Sequence, residues 1–332
     1  ETSMPADSHR RRVLSSLTAT GLAAAGLPSA RAQSWPAKPI RIFVGFAPGG
    51  TTDPYARVYG EVLSQKVGVP VVVENRPGAG GNISLGALAR EAADGHTIGI
   101  TTSTSVWGGR TLYSKLPFDP DRDFVPLGWF PVGPLLMAVP AAMPVSNVKE
   151  WVEMARKTPV TMASYGPGSV PHLATEEFNK RYGTKVNVAH YKGEGPMWSD
   201  VSTGVTQAGI GSYVALAPHI QRGGVKVIAS IGNERSPKLP QVTSFASQGF
   251  DGEIFRLAGG LLMLAPAATP EPVLQRISQA FVEGADSPKA VALREAFAIE
   301  DKPTTMAEAR RKWREESPVW IRLTEQLGIK ID

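Results

Sequence analysis

The sequence contains no cysteine. That removes disulfides, thiol nucleophiles and cysteine-based metal centres together, so the core must hold without covalent staples. It also lacks any long block of one charge: 35 Lys and Arg face 30 Asp and Glu, for a formal net charge of +5. Residues 1–32 hold Arg10, Arg11, Arg12 and Arg31 against Glu1 and Asp7, so the excess over the rest of the chain is only +3. No basic stripe interleaved with aromatics is present, and nucleic-acid binding has no support. Beyond residue 32 no apolar run reaches the roughly 20 residues that a membrane span needs. Enzyme signatures are missing too, with no Gly-x-Ser-x-Gly elbow and no His-Glu-x-x-His pair. The five histidines, His9, His96, His172, His190 and His219, show no metal-ligand spacing. The acid pairs Glu176-Glu177 and Glu315-Glu316 are neighbours in sequence and cannot share one helix face. No catalytic residue, metal site or cofactor is expected.

What is present begins with an export pattern. Arg10-Arg11-Arg12 forms a positive start, Val13 to Leu27 is moderately apolar, and Ala30-Arg31-Ala32 is a small-x-small cleavage site. These three parts in this order read as a signal peptide over 1–32, with Gln33 as the mature start and a periplasmic destination. The arginine run followed by Val13-Leu14 also fits a twin-arginine signal, and the export route stays open.

The remaining 300 residues are enough for two lobes. From Ile40 the chain alternates strand and helix. Ile40–Phe46, Val69–Val73 and Thr97–Thr102 read as strands, and Asp53–Lys66 and Ser84–Ala92 as helices. This order implies a parallel, doubly wound sheet. After Leu135 the alternation restarts. Strands are expected at Leu136–Val139, Val160–Ala163, Val186–His190, Thr206–Ile210 and Val225–Ser230. Helices are expected at Val148–Lys157, Leu173–Tyr182, Pro196–Thr203 and Ala215–Gly223. Three further helices close the chain, at Pro270–Gly284, Pro288–Ala296 and Thr305–Leu327.

Two strand-to-helix loops carry the candidate chemistry. Phe46-Ala47-Pro48-Gly49-Gly50-Thr51-Thr52-Asp53 has adjacent glycines that let backbone approach a ligand, then hydroxyls at a helix start, where free N–H groups bind anions. Ser164-Tyr165-Gly166-Pro167-Gly168-Ser169-Val170-Pro171-His172 repeats the design in the second half. Ordinary tight turns with ordinary caps would look the same. Neither loop has the Lys-Ser/Thr of a phosphate loop. The glycine-rich segment Asn75 to Asn82 lacks the third glycine of a dinucleotide fingerprint and reads as a turn closing onto the first loop. Lys192, in Tyr191-Lys192-Gly193-Glu194-Gly195-Pro196, is either a ligand contact or a solvated cation. His172 reads as a capping or packing residue rather than a base.

These residues resemble the tripartite tricarboxylate transporter receptor proteins, also called the Bordetella uptake gene family. The likeness lies in Phe46 to Asp53 with Arg57, in Glu74 to Asn82, in Asp94-Gly95-His96-Thr97 and Asp123-Phe124-Val125-Pro126, in Tyr165 to Leu173, and in Tyr191-Lys192-Gly193 with Pro196. It runs on through Pro218-His219-Ile220, Ala265-Pro266 and Thr269-Pro270 to the end of the chain. The resemblance implies a type II periplasmic binding protein fold: two doubly wound α/β lobes joined by two crossing hinge strands. Lobe 1 would be 33–135 and 256–332, lobe 2 would be 136–255, and the crossings would lie near Leu135–Val139 and Phe255–Leu262. It implies a monomeric receptor that captures a small carboxylate through main-chain donors and hands it to integral-membrane permease subunits.

The implied ligand-binding set from the first loop is Phe46, Pro48, Gly49, Gly50, Thr51, Thr52 and Asp53. Ser103 and Thr104 follow the third strand. Tyr165, Gly166, Gly168, Ser169 and His172 come from the second loop, with Tyr191, Lys192, Gly211 and Ser212 beyond it. The chain departs from the family at Gln207 and Gly211, where acids are common, and at Phe255-Arg256-Leu257, where an aromatic is common before the last crossing. A lost acid argues against an amino-acid ligand; Arg256, if it faces the cleft, favours a second acidic group. A periplasmic sensor feeding a signalling kinase, or an exported hydrolase or isomerase, are the alternative readings.

Overall fold

The structure, a computed structural model, describes residues 35–232, 235–257, 259–328 and 330–331. The export-signal reading lies outside these residues.

Ten strands form two five-stranded sheets. The first holds β1 (Ile40–Val44), β2 (Val71–Asn75), β3 (Thr97–Thr102), β4 (Phe124–Pro131) and β10 (Gly260–Pro266), in the order β2-β1-β3-β10-β4. The second holds β5 (Leu136–Pro140), β6 (Thr161–Ser164), β7 (Asn187–His190), β8 (Ala208–Gly211) and β9 (Val225–Ser230), in the order β7-β6-β8-β5-β9. Position by position the two orders match: β6 stands where β1 stands, β8 where β3 stands, and β5 where β10 stands. In each sheet the first three strands pair in parallel and the fourth runs antiparallel to its neighbours. The parallel expectation therefore holds for the alternating βα part, and the strand following each crossing breaks it.

Both antiparallel strands are continuous apolar runs. All of Gly260–Pro266 and four of the five residues of Leu136–Pro140 are buried, the pattern of strands covered on both faces. The links into these strands from the other sheet run through 132–135 and, among the described residues, 256–257 and 259.

The helices between the strands are α1 (Thr52–Val67), α2 (Asn82–Leu88), α3 (Ser103–Leu112), α4 (Pro120–Asp123), α5 (Val148–Lys157), α6 (Val170–Tyr182), α7 (Glu194–Thr203) and α8 (Tyr213–Gln221). Three more follow β10: α9 (Glu271–Glu283), α10 (Pro288–Phe297) and α11 (Met306–Leu327). Their sequences explain their ends and faces. In α5, Val148, Trp151, Val152 and Ala155 are buried at helical spacing, and the Asn147 side chain accepts from Glu150 N–H at 2.9 Å. In α11, Thr305 and Glu308 form a reciprocal capping box.

The aromatic side chains are divided between the lobes. Tyr55, Tyr59, Phe130 and Phe281 pack edge-to-face or stacked beside the first sheet. Phe178, Phe245, Phe250 and Phe255 do the same beside the second. Val71–Asn75 and Asn187–His190, one edge strand of each sheet, are only partly buried.

Candidate functional site

The carboxyl ends of β1, β3, β6 and β8 face a common cleft, the usual ligand position in open α/β sheets. Its lining comes from both lobes: Phe46, Gly50, Thr51, Thr52, Thr102 and Thr104 from the first, Tyr165 and Glu194 from the second, with Val132, Leu135, Gly260 and Leu261 from the crossings and β10. About 510 Å³ between these residues is free of protein atoms, part of it open to solvent.

The first loop makes contacts across the cleft. Ala47 N–H donates to the Lys192 carbonyl at 2.8 Å. Gly49 has φ +94°, and a methyl group there would come within 3.2 Å of Gly195 Cα. The Thr51 hydroxyl donates to the Glu194 carboxylate at 3.2 Å. The α1 N-terminus itself has no side-chain cap. Asp53 is turned to its own helix, where Arg57 Nε and Nη2 donate to both carboxylate oxygens at 2.9 and 3.0 Å.

The second loop satisfies itself. Ser164 is fully buried; its hydroxyl lies 2.8 Å from the Gly166 carbonyl, 2.7 Å from Ser169 Oγ and 3.2 Å from His190 Nδ1. Gly168 N–H donates to His172 Nδ1 at 3.1 Å. His172 is therefore an acceptor that holds the loop. Burial, with His190 packed edge-on at 4.8 Å, pushes its pKa down to about 4. The packing reading of His172 fits this geometry.

The glycine-rich segment 75–82 closes onto the first loop, as its sequence suggests, and also onto the second. Asn75 Nδ2 donates to the Phe46 carbonyl at 3.0 Å. Gly80 has φ +62°, and a Cβ there would lie 2.3 Å from the Pro167 carbonyl oxygen. A Cβ at Gly166 would lie 2.8 Å from Gly80 Cα. Here backbone packs on backbone, which only glycine permits.

Of the sequence-derived set, Phe46, Gly50, Thr51, Thr52, Thr104 and Tyr165 line the cleft. Pro48 and Gly49 form the seam with Gly195. Ser103 accepts from Gly260 N–H at 3.1 Å, and so ties α3 to β10. Gly166, Gly168, Ser169 and His172 are not in the lining and brace the second loop from within. Tyr191 donates to Asp200 at 2.6 Å; burial and that carboxylate push its pKa up to about 12. Lys192 carries its side chain into solvent. Gly211 and Ser212 meet Glu194.

Glu194 is the residue that sequence reasoning passed over. It opens α7 and is 7% exposed. Ser212 N–H and hydroxyl both donate to it at 2.7 Å, and Thr51 adds the bond from the other lobe. Burial raises its pKa, while the Ser212 and Thr51 donors pull it back. An acid in the first turn of a helix reads as a routine dipole complement; only the strand order brings this one to the cleft. It puts an acid in the cleft lining at a position other than the one where the sequence lacks it. Gln207, which prompted that expectation, lies elsewhere and bonds Thr161 N–H at 2.9 Å. Arg256 is exposed and outside the lining, so the inference of a second acidic group has no basis in it.

Residues 55–329 match the family described as "Tripartite tricarboxylate transporter family receptor". The chain belongs to this family. It is 32% identical to the protein BugT of Bordetella pertussis over 317 residues, covering 93% of this chain and 96% of BugT. Among solved structures, Rpa4515 of R. palustris with adipate superposes with a TM-score of 0.82 at 28% identity, covering 90% of this chain and 100% of that one. The periplasmic binding protein BugD gives 0.82 at 26% identity with the same coverage. The receptor family and its two-lobe α/β fold thus agree with the resemblance drawn from the sequence. Among the described residues no helix is long and apolar enough to cross a membrane.

Proposed function

We propose that this receptor works in the periplasm, closes its lobes on a small carboxylate and delivers it as a monomer to integral-membrane permease subunits. The observation that carries the reading is the convergence of two strand-to-helix loops, one from each lobe, on one cleft with no Lys, Arg or His in its lining. Backbone N–H groups and the hydroxyls of Thr51, Thr52, Thr102 and Thr104 are the anion donors available there, and α1 and α6 both start without a side-chain cap. The adipate bound by Rpa4515 supports a carboxylate as the ligand class. The division into lobes at 33–135 with 256–332, and 136–255, is part of the proposal. Hydrogen bonds from Ile231 N–H to the Leu135 carbonyl at 2.7 Å and from Gly232 N–H to the Phe255 carbonyl at 3.0 Å support it, because they tie the crossings together as a hinge requires.

A thermal-shift screen of the chain from Gln33 against mono-, di-, tri- and aromatic carboxylates tests the reading. A ligand at 100 times its dissociation constant stabilises by about 2.7 kcal/mol, a rise of roughly 4–5 °C at this size. No shift with any acid, using protein stripped of trapped ligand by unfolding and refolding, defeats it.

A further inference from the structure

Glu194 is the one carboxyl or basic side chain in the cleft lining among the described residues. Its donors are the N–H and hydroxyl groups of Ser212 and of Thr51, all of them neutral. No cation is among the groups that set its proton affinity. A buried carboxylate without a counter-ion is costly, and a cation brought against it relieves that cost. A second carboxylate brought to the same place meets an uncompensated like charge. Phe46 and Tyr165 line the same space, and aromatic rings attract ammonium groups.

We propose that the cleft selects a zwitterion: a small carboxylate that also carries a protonated or quaternary nitrogen, with that nitrogen set against Glu194. This rests on the carboxylate-receptor reading above and narrows it. Main-chain donors take the ligand carboxylate. Glu194, Phe46 and Tyr165 take the nitrogen. Glu194 also links the lobes through Thr51, so a cation beside it strengthens one of the contacts that join them across the cleft. The ligand class then differs from the dicarboxylate held by Rpa4515.

The experiment titrates matched trios by calorimetry at pH 7.5: adipate, 6-aminohexanoate and hexanoate, then succinate, 4-aminobutyrate and butyrate. The wild-type chain from Gln33 is expected to bind the aminocarboxylate of at least one trio 10-fold or more tighter than the dicarboxylate. Glu194→Gln is expected to weaken the aminocarboxylate by at least 10-fold and to tighten the dicarboxylate, reversing the order. Glu194→Asp, which keeps the charge, is expected to restore the original order. A wild-type preference for the dicarboxylate overturns the inference, as does a Glu194→Gln effect that weakens all three members of a trio alike. If Glu194→Gln fails to fold, the wild-type order decides alone. Binding of no member of either trio to wild type overturns the inference together with the carboxylate-receptor reading. Binding in the wrong order overturns the inference only.

Discussion

The two sheets share one strand plan, yet the loops at equivalent positions in the two lobes use their polar groups in opposite ways. After β1, the loop reaches outward: Ala47 and Thr51 donate to residues of the other lobe. After β6, the loop turns inward: Ser164, Ser169, Gly168 and His172 bond one another. A similar glycine-and-hydroxyl composition therefore yields the reaching half of a clamp in one lobe and a self-braced platform in the other. The difference follows from neighbours. The β6 loop has His172 and His190 beneath it to absorb its polar groups, whereas the β1 loop has only Asn75 and the opposite lobe.

The largest expected effect tests the platform. His172 is buried and neutral, with its pKa held at about 4 against an ordinary value of 6.5. The unfolded chain takes up a proton as pH falls through 6.5, and the folded chain does so only near 4. The stabilisation is therefore complete above pH 6.5 and is lost as pH falls toward 4, a term of roughly 3 kcal/mol. Burial lowers the pKa of His190 as well, which adds to the same slope. Urea unfolding at several pH values checks this. His172→Asn keeps an acceptor for Gly168 N–H without the titration, so its stability is expected to fall less steeply than wild type between pH 6.5 and 4.

The seam between the loops comes next. Gly80→Val places side-chain atoms against the Pro167 carbonyl and demands φ +62° of a β-branched residue. The open lobes tolerate this better than the closed pair. Ligand affinity is expected to fall by about 100-fold, roughly 2.7 kcal/mol, in a calorimetric titration, with a smaller loss in unfolding free energy. An unchanged affinity would show that closure does not bring these backbones together.

How much of this was readable from sequence differs by element. Thr97–Thr102 was legible because a buried apolar run ends in threonines at the next helix. Ser103–Leu112 was not: serines, threonines and two glycines are poor helix formers. It forms because Thr102 caps it and because Trp107 stacks on Trp129 and meets Trp313 edge-to-face. Phe124–Pro131 contains Pro126, Gly128 and Pro131, which argue against a strand; it survives as the edge of its sheet, where missing donors are tolerated. The two loops were legible as motifs, since each keeps its chemistry within a few residues. Glu194 was not, because its partners Thr51 and Ser212 are 143 and 18 positions away.

Paired substitutions sharpen the contrast at smaller scale. Ser164→Ala removes a buried hub with three partners, so unfolding free energy is expected to fall by about 2 kcal/mol. Thr51→Val deletes only the bond across the cleft. It is expected to cost about 1 kcal/mol in ligand affinity and little in unfolding, since the bond forms only when the lobes meet. Denaturation and calorimetry on both variants separate the two quantities. Equal losses of both kinds in the two proteins would erase the distinction between platform and clamp.

The smallest expected effect concerns Asp53, which belongs to the outward-reaching loop by sequence but to its own helix by geometry. Its carboxylate takes both Arg57 nitrogens one turn along α1, and the Arg57 side chain is 55% exposed. A pair of this spacing with one partner exposed contributes about 0.5 kcal/mol. The charge also sits in the first turn of α1, where it complements the helix dipole. Asp53→Asn is therefore expected to lower unfolding free energy by less than about 1 kcal/mol and to leave ligand affinity within about two-fold, while 0.5 M salt removes most of the difference from wild type. A loss of affinity larger than that of Thr51→Val would mean that Asp53 leaves Arg57 when ligand binds. The β1 loop would then contribute an acid of its own to the cleft beside Glu194.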